Sequence, residues 1–253
     1  MDLHLDNKVA IVTGGSRGLG RAICLGLAAE GAKVLVNYCR NPAKAVEVAD
    51  RINREFDRPA LAVHADVTDE DEVKRMFDTA QSDLGPIDIL INNAGKRPGP
   101  ASSSQMSRRQ WDSTIALNAT GPFNTCGEAV RRWLAEGRKG RIVNVASPVA
   151  FRGTATGHAD YGASKAALVN FTKSLALEVA SKGIHVNGVA PGMMYTDMSV
   201  DDLKYDMPGY LEKTPLGRIS DPAEIANVVV FMASTRASYM TGTTVNATGG
   251  MVM

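Results

Sequence analysis

Val9-Ala10-Ile11-Val12 is a short, unbroken apolar run that passes straight into Thr13-Gly14-Gly15-Ser16-Arg17-Gly18-Leu19-Gly20. A run of this kind suits a strand buried on both faces, which requires helices above and below a parallel sheet. Ala22-Ile23 and residues 25–29 then read as a helix, stopped by Gly31. The glycines permit a tight turn and a close approach of backbone to a diphosphate. The amino end of the following helix offers free N–H groups and the positive end of its dipole to that anion. The spacing is Gly-x-x-x-Gly-x-Gly rather than Gly-x-Gly-x-x-Gly. By itself the stretch reads either as a dinucleotide loop or as an ordinary strand-to-helix turn.

The alternation continues to the end of the chain. Strands are expected at 33–38, 61–63, 87–91, 141–147, 184–190 and 243–246. Helices are expected at 43–56, from Thr68 onward, at 108–118, 123–136, through Tyr161 to about 181, and at 222–234. Thr68-Asp69-Glu70-Asp71 opens its helix with a capping hydroxyl at Thr68 and an acidic first turn, as the dipole favours. Gly121-Pro122 is expected to interrupt the helical stretch around it. Residues 96–106 are a loop by composition. Residues 193–220, with Met193, Met194, Met198 and Met207, read as irregular. This pattern predicts an α/β fold: one doubly wound parallel sheet of about seven strands with helices on both faces. A chain of 253 residues without linker or repeat fits a single domain.

Several classes of function are excluded at this level. The formal net charge is +1, so no nucleic acid and no anionic membrane partner is expected. Cys24, Cys39 and Cys126 are scattered, with no metal-ligand spacing and no disulfide framework. No apolar run reaches the ~18 residues of a membrane span. Met1-Asp2-Leu3-His4 has neither a basic region nor an apolar stretch, so a cytoplasmic protein is expected.

The chemistry concentrates in residues 147–165. Ser147 ends an apolar run, and Tyr161 and Lys165 lie four positions apart. On a helix these two share a face. A free phenol has a pKa of about 10, and a neighbouring ammonium lowers it toward the range where a general acid works best. Taken alone, the pair also fits a plain amphipathic helix. Asn92-Asn93-Ala94-Gly95 ends a strand with small and amide residues, which suits the approach of a flat ligand at the carboxyl end of the sheet. The second strand ends Asn37-Tyr38-Cys39-Arg40, without the acid that binds the adenosine ribose in NAD-selective enzymes. Arg17 and Arg40 are placed to face a ribose 2′-phosphate, which favours NADP(H) over NAD(H). Otherwise both are solvated surface charges.

Together these motifs resemble the short-chain dehydrogenase/reductase family, in the family's order and over essentially the whole chain. Thr13-Gly14-x-x-x-Gly18-x-Gly20 matches the cofactor loop and Asp66 the adenine-contacting acid. Asn92-Asn93-Ala94-Gly95 matches the motif beneath the nicotinamide. Pro191-Gly192 with Thr196 matches the segment that holds the carboxamide, and Asn118, Ser147, Tyr161 and Lys165 match the catalytic tetrad. The resemblance implies one Rossmann-type oxidoreductase domain over 1–253 with a substrate lid at about 193–220. It implies cofactor contacts from Gly14, Ser16, Arg17, Gly18, Leu19 and Gly20, then from Tyr38, Arg40, Asp66 and Val67. Further contacts are Asn93, Ala94 and Gly95, with Tyr161, Lys165, Pro191, Gly192 and Thr196. It also implies that hydride passes from nicotinamide to a carbonyl carbon while Tyr161 protonates the oxygen. Ser147 then fixes that oxygen, Lys165 lowers the tyrosine pKa and holds the ribose, and Asn118 anchors a water leading to Lys165.

Residues 217–222 and 249–253 are most similar to the 3-oxoacyl-(acyl carrier protein) reductase branch, although sugar, polyol and xenobiotic-ketone reductases carry related wording. Of the two arginines that dock the carrier in that branch, Arg138 matches one and Leu177 stands at the other. Lys96 and Arg97 either meet an anionic substrate group or lie on a solvated loop. Ser147, His158, Met193 and Met194 are the expected pocket residues, in a loop one residue longer than the commonest spacing. Three functions stay open: an NADPH-dependent 3-oxoacyl thioester reductase, an NAD(P)-dependent alcohol, sugar or small-ketone oxidoreductase, and a non-catalytic dinucleotide-binding regulator. The resemblance further implies a homotetramer built on helices at 121–136 and 159–181.

Overall fold

The opening apolar run becomes β1 (Val9–Val12) in the computed structural model, which describes residues 2–154 and 156–252. Met1 and Met253, the ends of the expected domain, lie outside the described residues, as does Ala155 in the loop between Ser147 and Tyr161. From β1 the chain runs through α1 (Gly18–Ala29), β2 (Lys33–Tyr38), α2 (Pro42–Phe56) and β3 (Ala60–His64). It returns through α3 (Glu70–Asp83) to β4 (Ile87–Asn92), then α4 (Arg108–Ile115), α5 (Gly121–Ala135) and β5 (Gly140–Val145). The remainder is α6 (Ala159–Val179), β6 (Ile184–Pro191), α7 (Val200–Glu212), α8 (Pro222–Ala233) and β7 (Thr244–Ala247). All neighbours in the sheet are parallel, in the order β3-β2-β1-β4-β5-β6-β7. The order reverses between β1 and β4, which opens a crevice at their carboxyl ends.

The two-sided burial read from β1 is realised residue by residue. Ala10 and Val12 join a core beneath α1, α2 and α8, with Ile23, Ile52 and Val229. Val9 and Ile11 join the opposite core beneath α3, α5 and α6, with Phe77, Trp133 and Val179. Successive strand residues point to opposite faces, so a strand covered on both sides is apolar throughout.

A polar ladder crosses this apolar interior directly under the carboxyl ends of the central strands. Thr125 Oγ1 donates to Asn92 Oδ1 (2.6 Å), Asn92 Nδ2 to Asn144 Oδ1 (2.9 Å), and Asn144 Nδ2 to Thr172 Oγ1 (2.8 Å). It joins α5, β4, β5 and α6 in one row. Buried amides are tolerable only when paired in this way.

The structure departs from the sequence expectations in three places. The cap of α3 is the Asp69 carboxylate, which accepts from Glu72 N, whereas Thr68 bonds Asp66. Gly121-Pro122 does not interrupt its stretch. A π turn (Ala116–Thr120) carries α4 into α5, and Pro122 sits in the first turn of α5, where a missing N–H is harmless. The segment 193–220 is irregular only at its two ends: its middle is α7, bent at Asp206 (φ −143°, ψ 53°) ahead of Pro208. Asp206 Oδ1 accepts from Gly209 N and so caps the second half of the bent helix.

Replacing Asn144 by Leu keeps the volume but strands partners on both sides of the ladder. An unfolding cost of about 2–4 kcal/mol is expected, from about 1–3 kcal/mol per orphaned buried group. A fall in the urea midpoint of Asn144→Leu measures it.

Candidate active site

Ser147 lies just past the end of β5, and α6 begins at Ala159, so its first two turns present Tyr161, Ser164 and Lys165 to the carboxyl end of the sheet. The start of α6 is fastened from below. Asp160 is fully buried and accepts from Tyr161 N (2.8 Å), Thr114 Oγ1 (3.0 Å) and Gln110 Nε2 (3.2 Å), the last two on α4. The Ser147 hydroxyl stands near enough to the Tyr161 phenol to favour its ionised form. Lys165 is buried, with Nζ donating to Val145 O (2.7 Å) and standing 5.9 Å from the centre of the Tyr161 ring.

Asn118 sits in the π turn and is fully buried. Its Oδ1 accepts from Lys96 N (2.9 Å), while Nδ2 donates to Lys96 O (2.8 Å) and Ser164 Oγ (3.0 Å). The side-chain amide is therefore engaged by protein. Its backbone carbonyl is different: the regular helical donor, four residues on, is Pro122, which has no N–H. Isolated π turns recur at functional sites because they re-aim such groups.

Burial sets the charges. It pushes Lys165 down to about 8, and it pushes the Tyr161 phenol above its ordinary value. The hydrogen bond from Ser147 and the charge of Arg97 oppose the rise at Tyr161. The lowered phenol expected from Lys165 is thus not met in the chain alone, because burial outweighs the groups that favour the ionised phenol. His158 precedes α6, and burial and Arg97 both favour its neutral ring. Its Nδ1 is buried without a partner.

The crevice between β1 and β4 is built for close approach of a ligand. Gly14 has φ +62°, and a Cβ there would fall 2.9 Å from Ala94 Cα. Thr13 Oγ1 accepts from Asn93 N and Ala94 N (both 3.0 Å), and Asn93 Nδ2 donates to the carbonyls of Thr13 and Gly14 (both 3.0 Å). Asn37, at the end of β2, is buried and accepts from Gly14 N (3.2 Å). α1 begins with no side-chain cap and no acid in its first turn, whereas α2, α3, α4 and α8 are all capped by side chains. An uncapped helix start behind a glycine turn fits the diphosphate of a dinucleotide.

The other expected contacts line this crevice in part. Ser16, Gly18, Leu19 and Gly20 form the loop and the first turn of α1. Thr196 lies across from Gly18, where a Cβ would meet it at 3.5 Å. Gly95 lies beside Asn118 and Lys165. Asp66 Oδ1 accepts from Thr68, and Val67 is buried against Gly121. Tyr38 is half-buried, edge-on to His64, and Arg40 is exposed. Arg17 and Lys44 both face Asp197, at 3.4 and 3.7 Å. Pro191 ends β6, and a Cβ on Gly192 would fall 2.9 Å from Thr248 Cα. Met193 is half-buried. Met194 is also half-buried and packs on the α1/α8 core. A cleft of about 410 Å³ lies further out, between residues 100–105 and 154–159, and none of the four tetrad residues lines it.

Sequence reasoning passed over Asn37, Asp160, Ser164 and Asp197. Ser164 was the most accessible of these, standing directly before Lys165. Asp160 shows its role only once α4 is placed against α6.

The family model for short chain dehydrogenases matches residues 8–205. The chain belongs to that family. The 3-oxoacyl-[acyl-carrier-protein] reductase FabG of Staphylococcus epidermidis is 42% identical to this dehydrogenase over 250 residues, covering 98% of this chain and all of that one. FabG of Aquifex aeolicus is 38% identical over 251 residues, covering 99% and 100%. Among solved structures, a short-chain type dehydrogenase/reductase from Mycobacterium marinum superposes with a TM-score of 0.94 at 33% identity, covering 99% of this chain and 98% of that one. A dehydrogenase/reductase from Sinorhizobium meliloti gives 0.91 at 32%, covering 100% and 98%. The dehydrogenase is thus an oxidoreductase of CH–OH and C=O groups that uses a nicotinamide dinucleotide. Among the described residues, no helix is long and apolar enough to cross a membrane.

The buried lysine has a consequence for stability. Its folded pKa of about 8 lies below its unfolded value, so between pH 8 and 10 the unfolded lysine holds more protons and the contribution of this group to stability rises with pH. The thiols of Cys24 and Cys126 and the Tyr161 phenol, all raised by burial, pull the other way over the same range. The share of the lysine from pH 8 to 10 is about 2 kcal/mol. In urea titrations without cofactor, the stability of wild type minus that of Lys165→Met should rise by that amount, because the opposing groups cancel in the difference.

Proposed function

We propose that this dehydrogenase is an NADPH-dependent reductase of 3-oxoacyl thioesters or closely related ketones. The observation that carries the reading is the meeting of the Ser147 and Tyr161 hydroxyls beside buried Lys165, at the open end of the sheet. Full-length identity to 3-oxoacyl-[acyl-carrier-protein] reductases supports the substrate class. NADPH is favoured because β2 ends without an acid while Arg17, Arg40 and Lys44 stand near that end of the crevice. Asp197 must then release Arg17 and Lys44 to a phosphate.

The bound nicotinamide supplies the hydride. The chain supplies the proton and the geometry. Ser147 donates to the carbonyl oxygen and fixes it, and the preorganised hydroxyl favours the charge that develops there. Tyr161 gives that oxygen its proton. Lys165 leaves the Val145 carbonyl for the ribose hydroxyls and brings its charge toward the phenol. A water on the Asn118 carbonyl, freed by Pro122, would return protons to Lys165. The intact tetrad speaks against a non-catalytic regulator.

One observation favours a substrate free of its carrier protein. Arg138 bonds Asp88 (3.1 Å) at the amino end of the sheet, away from the site, and Leu177 is 86% exposed where the second docking arginine would stand. A simple alcohol, sugar or ketone therefore stays as the second reading. The three cysteines are free thiols, which suits a reducing cytoplasm.

Nicotinamide absorbance with NADPH and NADH, acetoacetyl-coenzyme A and plain ketones tests the reading. Fast oxidation of NADPH with the thioester is expected, and activity only with plain ketones or only with NADH would replace it. In the same assay Tyr161→Phe should bind cofactor normally and lose about 10²–10⁴-fold in turnover.

We also propose a homotetramer that covers the α5/α6 face. Phe123, 56% exposed, and Phe171 meet there with ring centres 5.9 Å apart, over an apolar groove of about 250 Å³. Light scattering should give four chains, and Phe123→Glu should give fewer.

A further inference from the structure

Arg97 lies in the loop after β4, and most of its side chain is covered. Only 21% of its side-chain surface is exposed. Its position is fixed from behind, because both backbone groups of the preceding residue, Lys96, are held by the Asn118 amide. Its guanidinium reaches α7, where Nη2 donates to the Asp202 carboxylate and to Met198 O (3.3 Å). Its charge is felt at the Tyr161 phenol and at His158. Arg97 therefore stands between the lid helix and the proton donor.

Only one corner of the guanidinium is engaged. Among the described residues, Nε and Nη1 make no hydrogen bond. The buried Nδ1 of His158, beside the same charge, is likewise without a partner. A rigid, always-charged fork with two unused donors suits an oxygen acceptor on a ligand. A site with such donors discriminates strongly against an analogue that lacks the matching oxygen, because its own groups are then left unpaired.

We infer that Arg97 is a specificity-determining residue whose free donors take a second oxygen carried by the substrate beside its reacting ketone. A 3-oxoacyl thioester, a 3-oxo acid and a 1,3-diketone all carry that oxygen, and a plain monoketone does not. Asp202 orients the fork and leaves the two donors open. The inference rests on the carbonyl-reductase reading above and narrows it to dicarbonyl-type substrates.

The test compares wild type, Arg97→Met, Arg97→Lys and Asp202→Asn on pentane-2,4-dione against pentan-2-one, with acetoacetyl-coenzyme A and acetoacetate alongside. The readout is the ratio of kcat/KM for diketone over monoketone, split into kcat and KM. A parallel arm measures the Kd of both ketones with NADP⁺ present, where no hydride is available. Arg97→Met should lower the preference at least about tenfold, mainly through KM, with the Kd ratio falling alike. Arg97→Lys should restore part of it, and Asp202→Asn should keep it within about twofold. Equal loss on diketone and monoketone, or loss in Asp202→Asn as large as in Arg97→Met, would make Arg97 a lid tie and overturn the inference. An unchanged preference would do the same. A larger loss for acetoacetate than for the thioester supports the inference and identifies a carboxylate as the bound group. If wild type ignores the thioester, the thioester reading fails while the diketone pair still decides on Arg97. The Kd arm decides even without turnover.

Discussion

Thr13 and Asn93 hold the two sides of the crevice together, and the rest of the site is assembled on that lock. One hydroxyl accepts two backbone N–H groups from the strand-β4 side, and one amide returns two hydrogen bonds to the β1 side. The sheet reverses its strand order at this point. Backbone bonds from Thr13 N to Ile91 O (3.0 Å) and from Gly15 N to Asn37 O (2.8 Å) carry the pairing just past the end of β1, and these side chains fix the spacing beyond it. The glycines can come close to Ala94 and Asn93 only because that spacing is fixed. Asn37 adds a third support from β2. The glycine turn is in this sense a shared structure of three strands.

A second support runs from the polar ladder to the reacting groups. The ladder aligns α5 and α6 with β4 and β5, and Asp160 fixes where α6 begins. Asn118 then links the loop after β4 to α6 through Lys96 and Ser164. Pro122, one turn later, cannot supply the regular helical donor to the Asn118 carbonyl. Two features that look like defects in a helix, a π turn and a proline, coincide at this residue. Rules of local structure yield most readily where function makes a demand.

The fold was legible because its signal is repetitive. Each buried strand is an apolar run, each helix follows at short distance, and the glycine turn marks where the first unit begins. Tyr161, Lys165 and Ser147 were legible from spacing and strand ends. What escaped notice depends on tertiary placement. Asp160 is an ordinary acid until Thr114 and Gln110 are brought above it. Asp197 looks like a loop residue until Arg17 and Lys44 are found beside it. Helix α7 was hidden because Asp206, Pro208 and Gly209 are breakers in sequence, yet Asp206 caps a second helical segment and so makes the break a bend. The rise at the Tyr161 phenol was not legible because it comes from burial, which only the packed chain shows.

The segment 193–220 is closed at its base. Met193 O accepts from both Ser220 N and Ser220 Oγ, and Tyr195 N donates back to Ser220 O. Residues 196–219 thus leave and rejoin the domain at one point. Such a segment behaves as an exchangeable cassette: its length and side chains can drift over generations while the two ends stay pinned. Such change would leave Ser147, Tyr161 and Lys165 where they stand.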